Sequence, residues 1–116
     1  MRTIKFRAYN RHENKYDTFN VDDEDDMKRW HDNRMVSLDK EMFVGKKDYS
    51  DKDIYENDYI SADGYKGPVI LQNNQWTVLD GYFSEDKVYK EAITINSFSS
   101  DDLIIIGSIK ENPEMF

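Results

Sequence analysis

The chain contains no cysteine among its 116 residues. Disulfide staples, thiolate nucleophiles and cysteine-ligated zinc are therefore excluded. A chain without thiols is compatible with a reducing cytosol. Long apolar runs are also missing. The longest is Leu103 to Ile106, far short of the ~20 residues needed to cross a bilayer. The N-terminus, MRTIKFR, alternates apolar and polar residues and has no apolar stretch of the kind that opens a secretory signal. These absences predict a soluble cytoplasmic protein with no membrane contact. Only two histidines are present, His12 and His31. Both lie among charged residues and outside any catalytic or zinc spacing, so each reads as an ordinary surface side chain.

Aromatic side chains are plentiful at 14% of residues, including eight tyrosines. Disordered chains are poor in such residues. With 38% hydrophobic and 34% charged residues, the composition predicts a small folded protein with a heavily charged surface. Its length fits one domain, residues 1–116, and no repeat, linker or low-complexity tract divides it.

Cations are scarce overall. The net charge is −8 and the pI about 4.7. Proteins that grip nucleic acid through phosphate neutralisation are usually basic. The charge is uneven, however. Arg2, Lys5, Arg7, Arg11 and Lys15 face the single acid Glu13 within residues 1–16, a local +4 that leaves −12 for the rest. A basic N-terminal strand on an acidic body is the expected electrostatic layout. The acidic body favours solubility or a basic protein partner, and nucleic acid is an unlikely ligand.

Hydrophobic periodicity predicts mostly strands. Thr3 to Tyr9 alternates with period two, and Lys15 to Val21 forms a hairpin with it across the polar turn Asn10 to Asn14. Asp22 to Arg34 reads as one short helix, capped by Asp22 or Asp23, with Met27 and Trp30 on one side. An ordered acidic loop is the alternative. Short strands are expected at Met35 to Leu38 and Glu41 to Val44, around a turn at Asp39-Lys40. A loop follows from Gly45 to Asp53. Tyr59 to Ala62 is a strand, with a turn at Asp63-Gly64 and a loop to Gly67-Pro68. Val69 to Leu71 and Trp76 to Leu79 flank a hairpin turn at Asn73-Asn74, because asparagine tolerates positive φ. Weak strands are expected at Val88 to Tyr89 and Ala92 to Ile95. Leu103 to Ile109 is the strongest strand, and its near-continuous apolar run predicts burial on both faces. Many short strands with close turn signals predict a mainly β fold, a small barrel or sandwich with one short helix.

No motif carries chemistry. The run Asp22, Asp23, Glu24, Asp25, Asp26 lacks the glycine and glutamate of a calcium loop, since Met27 and Asn33 occupy those places. The segment from Asp48 to Asp53 fails in the same way. Gly45-Lys46-Lys47 lacks phosphate-loop spacing, and Gly64, Gly67 and Gly81 read as turn glycines. The aromatics Phe6, Tyr9, Tyr55, Tyr59, Trp76, Tyr82 and Phe83 could stack single-stranded bases. Without a basic groove in the body of the chain, core packing is the better reading. Glu56 and Asp58 are the only carboxylates placed to suggest an acid–base pair, and Asp58 reads better as a turn anchor holding backbone amides. No catalytic residue, metal or cofactor is expected, and the chain reads as a non-enzyme.

Three blocks resemble one family. The opening MRTIKFRAY, the central Phe43 to Gly45, Lys47-Asp48 and Asp53 to Asp58, and the closing Ile106 to Met115 are similar to the YopX family of phage and prophage proteins. The blocks occur in order and span nearly the whole chain. Asn57 departs from a usual glycine, Val44 and Lys46 from threonine and leucine, and Ser108 from asparagine. The resemblance implies a mainly β fold with an SH3-like barrel element, a phage or prophage origin, action in a bacterial cytoplasm, and homo-oligomers. It implies no functional residue. Function is therefore expected in an accessory protein–protein contact. Asp22, Asp23, Glu24, Asp25 and Asp26 are the candidate partner-binding residues. The alternative is a regulatory protein that binds or mimics nucleic acid.

Overall fold

The computed structural model describes residues 4–32, 40–82 and 88–115. Among the described residues the fold is mainly β, with one α-helix, a sheet curled into a half-barrel and additional strands. The chain divides into two compact units, Met1–Phe43 and Val44–Phe116.

In the first unit, β1 (Lys5–Asn10) and β2 (Lys15–Asn20) form an antiparallel hairpin in which Phe6 pairs with Phe19 and Asn10 with Lys15. Asn14 takes a left-handed φ of 56° in the connecting turn. The Asn10 side-chain oxygen accepts the amides of His12 and Glu13, which fixes the turn from its first residue. On its other side β1 pairs with the start of β3 (Glu41–Lys47), Arg7 opposite Glu41. Helix α1 (Glu24–Asp32) follows β2. The short helix expected in the Asp22 to Arg34 stretch is therefore present, with Arg34 outside the described residues. Phe6, Ala8 and Phe19 make a small core, closed by Met27, Trp30 and Met42. Phe6 stacks on Phe19 at 5.2 Å and meets Trp30 edge-on at 5.4 Å. The strand expected at Met35 to Leu38 and the residue Asp39 lie outside the described residues.

In the second unit, β3 continues through Gly45 to Lys47 before the chain turns into β4 (Asp53–Tyr55). The loop expected from Gly45 is shorter, because glycine takes φ +86° within the strand. A five-stranded antiparallel sheet follows, ordered β8-β7-β6-β5-β9. Its members are β5 (Asp58–Ala62), β6 (Tyr65–Gln72), β7 (Gln75–Asp80), β8 (Glu91–Thr94) and β9 (Ile104–Ser108). Ile54, Ile60, Ala62, Val69, Val78, Ile95, Phe98 and Leu103 form its core.

Two strand expectations are corrected here. Gly67 and Pro68 belong to β6, not to a loop. Proline has no N–H for its neighbour, and the Leu79 carbonyl lies against Gly67 instead. A Cβ built on Gly67 would stand 1.8 Å from that oxygen, so only glycine fits there. Strand β9 is not buried on both faces. It ends the sheet, and Ile104 and Ile106 are 42% and 40% exposed. An apolar run does not distinguish a central strand from an edge strand.

Candidate functional site at an acidic helix start

The acidic segment is built from the end of β2. The Asn20 side-chain oxygen accepts the Asp22 amide at 2.9 Å, and its carbonyl accepts the Asp23 amide at 3.1 Å. The chain thereby reverses in two residues. Asp23 then caps α1. Its Oδ1 accepts the amides of Asp25 and Asp26 at 2.9 and 3.2 Å, and its carbonyl accepts the Met27 amide at 3.0 Å. An anionic cap beside the positive end of the helix dipole is favourable. Of the two caps that the sequence offers, Asp23 takes the role.

Asp26 works backwards to β2. Its Oδ2 accepts the Asn20 amide at 2.9 Å, and its Oδ1 meets Arg29 Nη2 at 3.1 Å. Arg29 Nη2 also donates to the Thr18 carbonyl at 3.0 Å, and its guanidinium lies 4.3 Å from the Phe19 ring centroid. The Asn20 amide, and then Arg29, hold the Asp26 carboxyl below its ordinary pKa of 3.8.

The five predicted acids thus separate by role. Asp23 and Asp26 hold the turn and helix together. Asp22, Glu24 and Asp25 are exposed, and their side chains make no hydrogen bond or ion pair among the described residues. These three lie together where β2 turns into α1. Their spacing in sequence did not reveal which acids would be engaged. The signal that could have done so is Asn20 at the end of β2, followed by the Asp-x-x-Asp spacing of a helix cap.

The basic strand is engaged within its own unit. Arg7 Nε donates to Glu41 Oε1 at 2.9 Å, both residues being buried. The Arg7 guanidinium also lies 3.9 Å from the Tyr16 ring centroid. Lys5 Nζ stands 4.5 Å above the Phe43 ring. Lys15 meets Glu13 at 3.0 Å, a contact that raises the lysine pKa above 10.5. Arg11 is exposed. Sequence reasoning missed Glu41, which pairs with Arg7 from 34 residues away.

The aromatics weighed for stacking can be placed one by one. Phe6 and Tyr55 are buried, Trp76 packs on the core of the second unit, and Phe83 lies outside the described residues. His12 and His31 are exposed. No group of three or more acidic or histidine side chains among the described residues could hold a metal ion. No described helix is long and apolar enough to cross a membrane.

In the central block Asp58 anchors a turn. Asp58 is 1% exposed, and its Oδ2 accepts the Tyr55 amide at 2.8 Å across the Glu56-Asn57 turn. Asn57 takes φ 67°, a left-handed conformation that asparagine tolerates. Its carbonyl accepts the Ile109 amide at 3.1 Å, and Asp58 pairs with Ser108. The central and closing blocks are thus joined as neighbouring strands. Ser108 continues the joint, its hydroxyl donating to Glu111 at 3.0 Å and its carbonyl accepting the Asn112 amide at 2.7 Å. No protein-family model and no curated protein matches the chain.

Proposed function

We propose that this chain is a YopX-like accessory protein of phage or prophage origin, acting by protein–protein contact in a bacterial cytoplasm. Asp22, Glu24 and Asp25 are the contact surface in this reading, and its partner presents basic side chains. The observation that carries it is the separation of the acidic run. Two carboxylates hold the fold, while three others beside them face solvent without a cation partner among the described residues. The neighbouring cations point the same way. Arg7, Lys5 and Lys15 each have an acid or ring partner within the first unit, so the basic strand has little left for phosphate.

The test compares the wild type with a variant carrying Asp22→Asn, Glu24→Gln and Asp25→Asn. These changes leave the cap Asp23 and the anchor Asp26 in place. From a bacterial lysate, the wild type should retain a basic protein that the folded variant loses, with binding that weakens as salt rises. Identical captures by both proteins would end this assignment. Gel shifts at low salt test the alternative, since electrostatic affinity for nucleic acid is greatest there.

A further inference from the structure

The chain contains two Asp-Gly pairs, Asp63-Gly64 and Asp80-Gly81. This dipeptide has a chemistry of its own. Glycine has no side chain to shield its amide nitrogen, and that nitrogen can attack the preceding aspartate side chain when the carboxyl is protonated. The bond from nitrogen to Cγ forms, and the carboxyl hydroxyl leaves with the amide proton as water. Water then opens the five-membered imide. Cleavage at Cγ regenerates aspartate, whereas cleavage at the main-chain carbonyl leaves the chain running through Cγ as isoaspartate. The net change is an isomerisation that needs no oxidant or enzyme. Sequence alone does not separate the two pairs; their surroundings do.

Asp80-Gly81 is held at both reacting groups. The Asp80 Oδ1 accepts the Lys66 amide at 2.9 Å, and the Gly81 amide donates to the Lys66 carbonyl at 2.9 Å. Electrophile and nucleophile are thus bonded to the same residue. The Asp80 carbonyl also accepts the Lys90 amide at 2.8 Å. The Lys90 side chain lies against Gly81, its Cγ 3.1 Å from where a Cβ would stand. Ring closure at this pair must first break both hydrogen bonds to Lys66.

Asp63-Gly64 has none of these holds. The pair forms the two-residue turn between β5 and β6, where Ala62 stands opposite Tyr65. Both residues are exposed. In such a turn the bond that closes it joins the flanking residues and leaves the second turn amide free. Among the described residues, neither the Asp63 side chain nor the Gly64 amide has a hydrogen-bond partner. Asp63 takes φ 49° and Gly64 φ 86°. A left-handed aspartate is strained, so rotation out of the turn relieves strain, and loop tips are among the regions that open most readily. We propose that Asp63-Gly64 is a site of spontaneous isoaspartate formation in the folded protein, and that Lys66 protects Asp80-Gly81 from the same reaction. The product adds a methylene to the main chain of a two-residue turn, beside Ala62 in the core of the second unit. It also presents a free α-carboxylate, the substrate class of isoaspartyl carboxyl methyltransferases that use S-adenosylmethionine.

The test ages the native protein in mildly acidic buffer and, in parallel, the chain unfolded in urea. Methyl transfer from labelled S-adenosylmethionine by such a methyltransferase reports isoaspartate, and peptide mapping assigns it to residue 63 or 80. In the native protein, isoaspartate at Asp63 should exceed that at Asp80 several-fold. In urea the two should accumulate at similar rates. If aspartate reacts too slowly to read, Asp63→Asn and Asp80→Asn carry the same test. They close the same ring by losing ammonia, and mass spectrometry follows the conversion of amide to acid. Equal native rates at the two sites, or no native reaction at residue 63 where the unfolded chain reacts, would overturn the proposal. The same preference for residue 63 in urea would show that the difference is not made by the fold, and would overturn the protective role of Lys66.

Discussion

Arg7 and Glu41 meet at 2.9 Å inside the first unit, opposite one another on β1 and β3. Both are buried, and the Arg7 guanidinium lies on the Tyr16 ring. A buried pair costs much to break from one side, because the remaining charge keeps its desolvation penalty. Glu41→Gln should therefore lower stability by about 3 kcal/mol. Replacing both residues, as Arg7→Met with Glu41→Leu, should recover most of that loss. Urea denaturation of Arg7→Met, Glu41→Leu and the double variant measures the coupling. Strictly additive losses would show that the pair is not the reason for the cost.

The turns offer a second, local prediction. Every described non-glycine residue with positive φ is asparagine or aspartate: Asn14, Asp51, Asn57, Asp63, Asn73 and Asn74. Asn73 and Asn74, at 53° and 62°, form the two-residue turn between β6 and β7. Left-handed residues at both positions define the hairpin turn whose twist matches its strands. Asn73→Ala should cost about 1 kcal/mol, whereas Asn74→Gly should be neutral or slightly stabilising. Gly67→Ala should be far worse than either, because its Cβ would meet the Leu79 carbonyl. Thermal melts should place Asn74→Gly highest, Asn73→Ala below it and Gly67→Ala lowest.

Those turn residues are also why much of the fold was legible in the sequence. Asparagine and aspartate mark left-handed positions through local sterics, and period-two alternation marks β1, β2 and β5. What stayed hidden depends on distant partners. Nothing near Arg7 announces Glu41. Nothing near Gly67-Pro68 announces that the Leu79 carbonyl will close on them. The Leu103 to Ile109 run announces a strand, and the exposure of Ile104 and Ile106 follows only from its place at the end of the sheet. At the candidate site, composition located the acidic run. Which carboxylates would be bound inward depended on Asn20 and Arg29, at hydrogen-bond geometry that spacing does not encode.

Asp58 separates an architectural role from a catalytic one. Its buried Oδ2 takes the Tyr55 amide at 2.8 Å, and Asp58 pairs with Ser108 on β9. Asp58→Ala should cost about 2 kcal/mol by leaving that amide without its ionic acceptor. Asp58→Asn keeps an oxygen of similar shape and should cost less. Both variants should lose stability measured by urea denaturation. An unchanged midpoint for Asp58→Ala would remove it from the turn's support and reopen a functional role.

Acid should loosen the protein at identifiable carboxylates. Burial works to raise the Asp48 pKa, but the amides of Lys52, Ser50 and Ile105 and the Ser50 hydroxyl outweigh it, so the group lies below its ordinary 3.8. Asp26 is also lowered, by the Asn20 amide and by Arg29. A folded pKa below the unfolded value means that the unfolded chain binds the proton more readily. The stabilisation is then complete above the unfolded pKa, and is lost as pH falls through the folded one. Wild type and Asp48→Asn should therefore differ in urea midpoint by a constant amount from neutral pH down to about pH 5. Below about pH 4 the difference should shrink as Asp48 itself is protonated. Asp26→Asn should show the same direction with a smaller effect, since its carboxyl is solvent-accessible and screened. A gap that widens on acidification would mean that Asp48 is held with a raised pKa, against the hydrogen bonds it accepts.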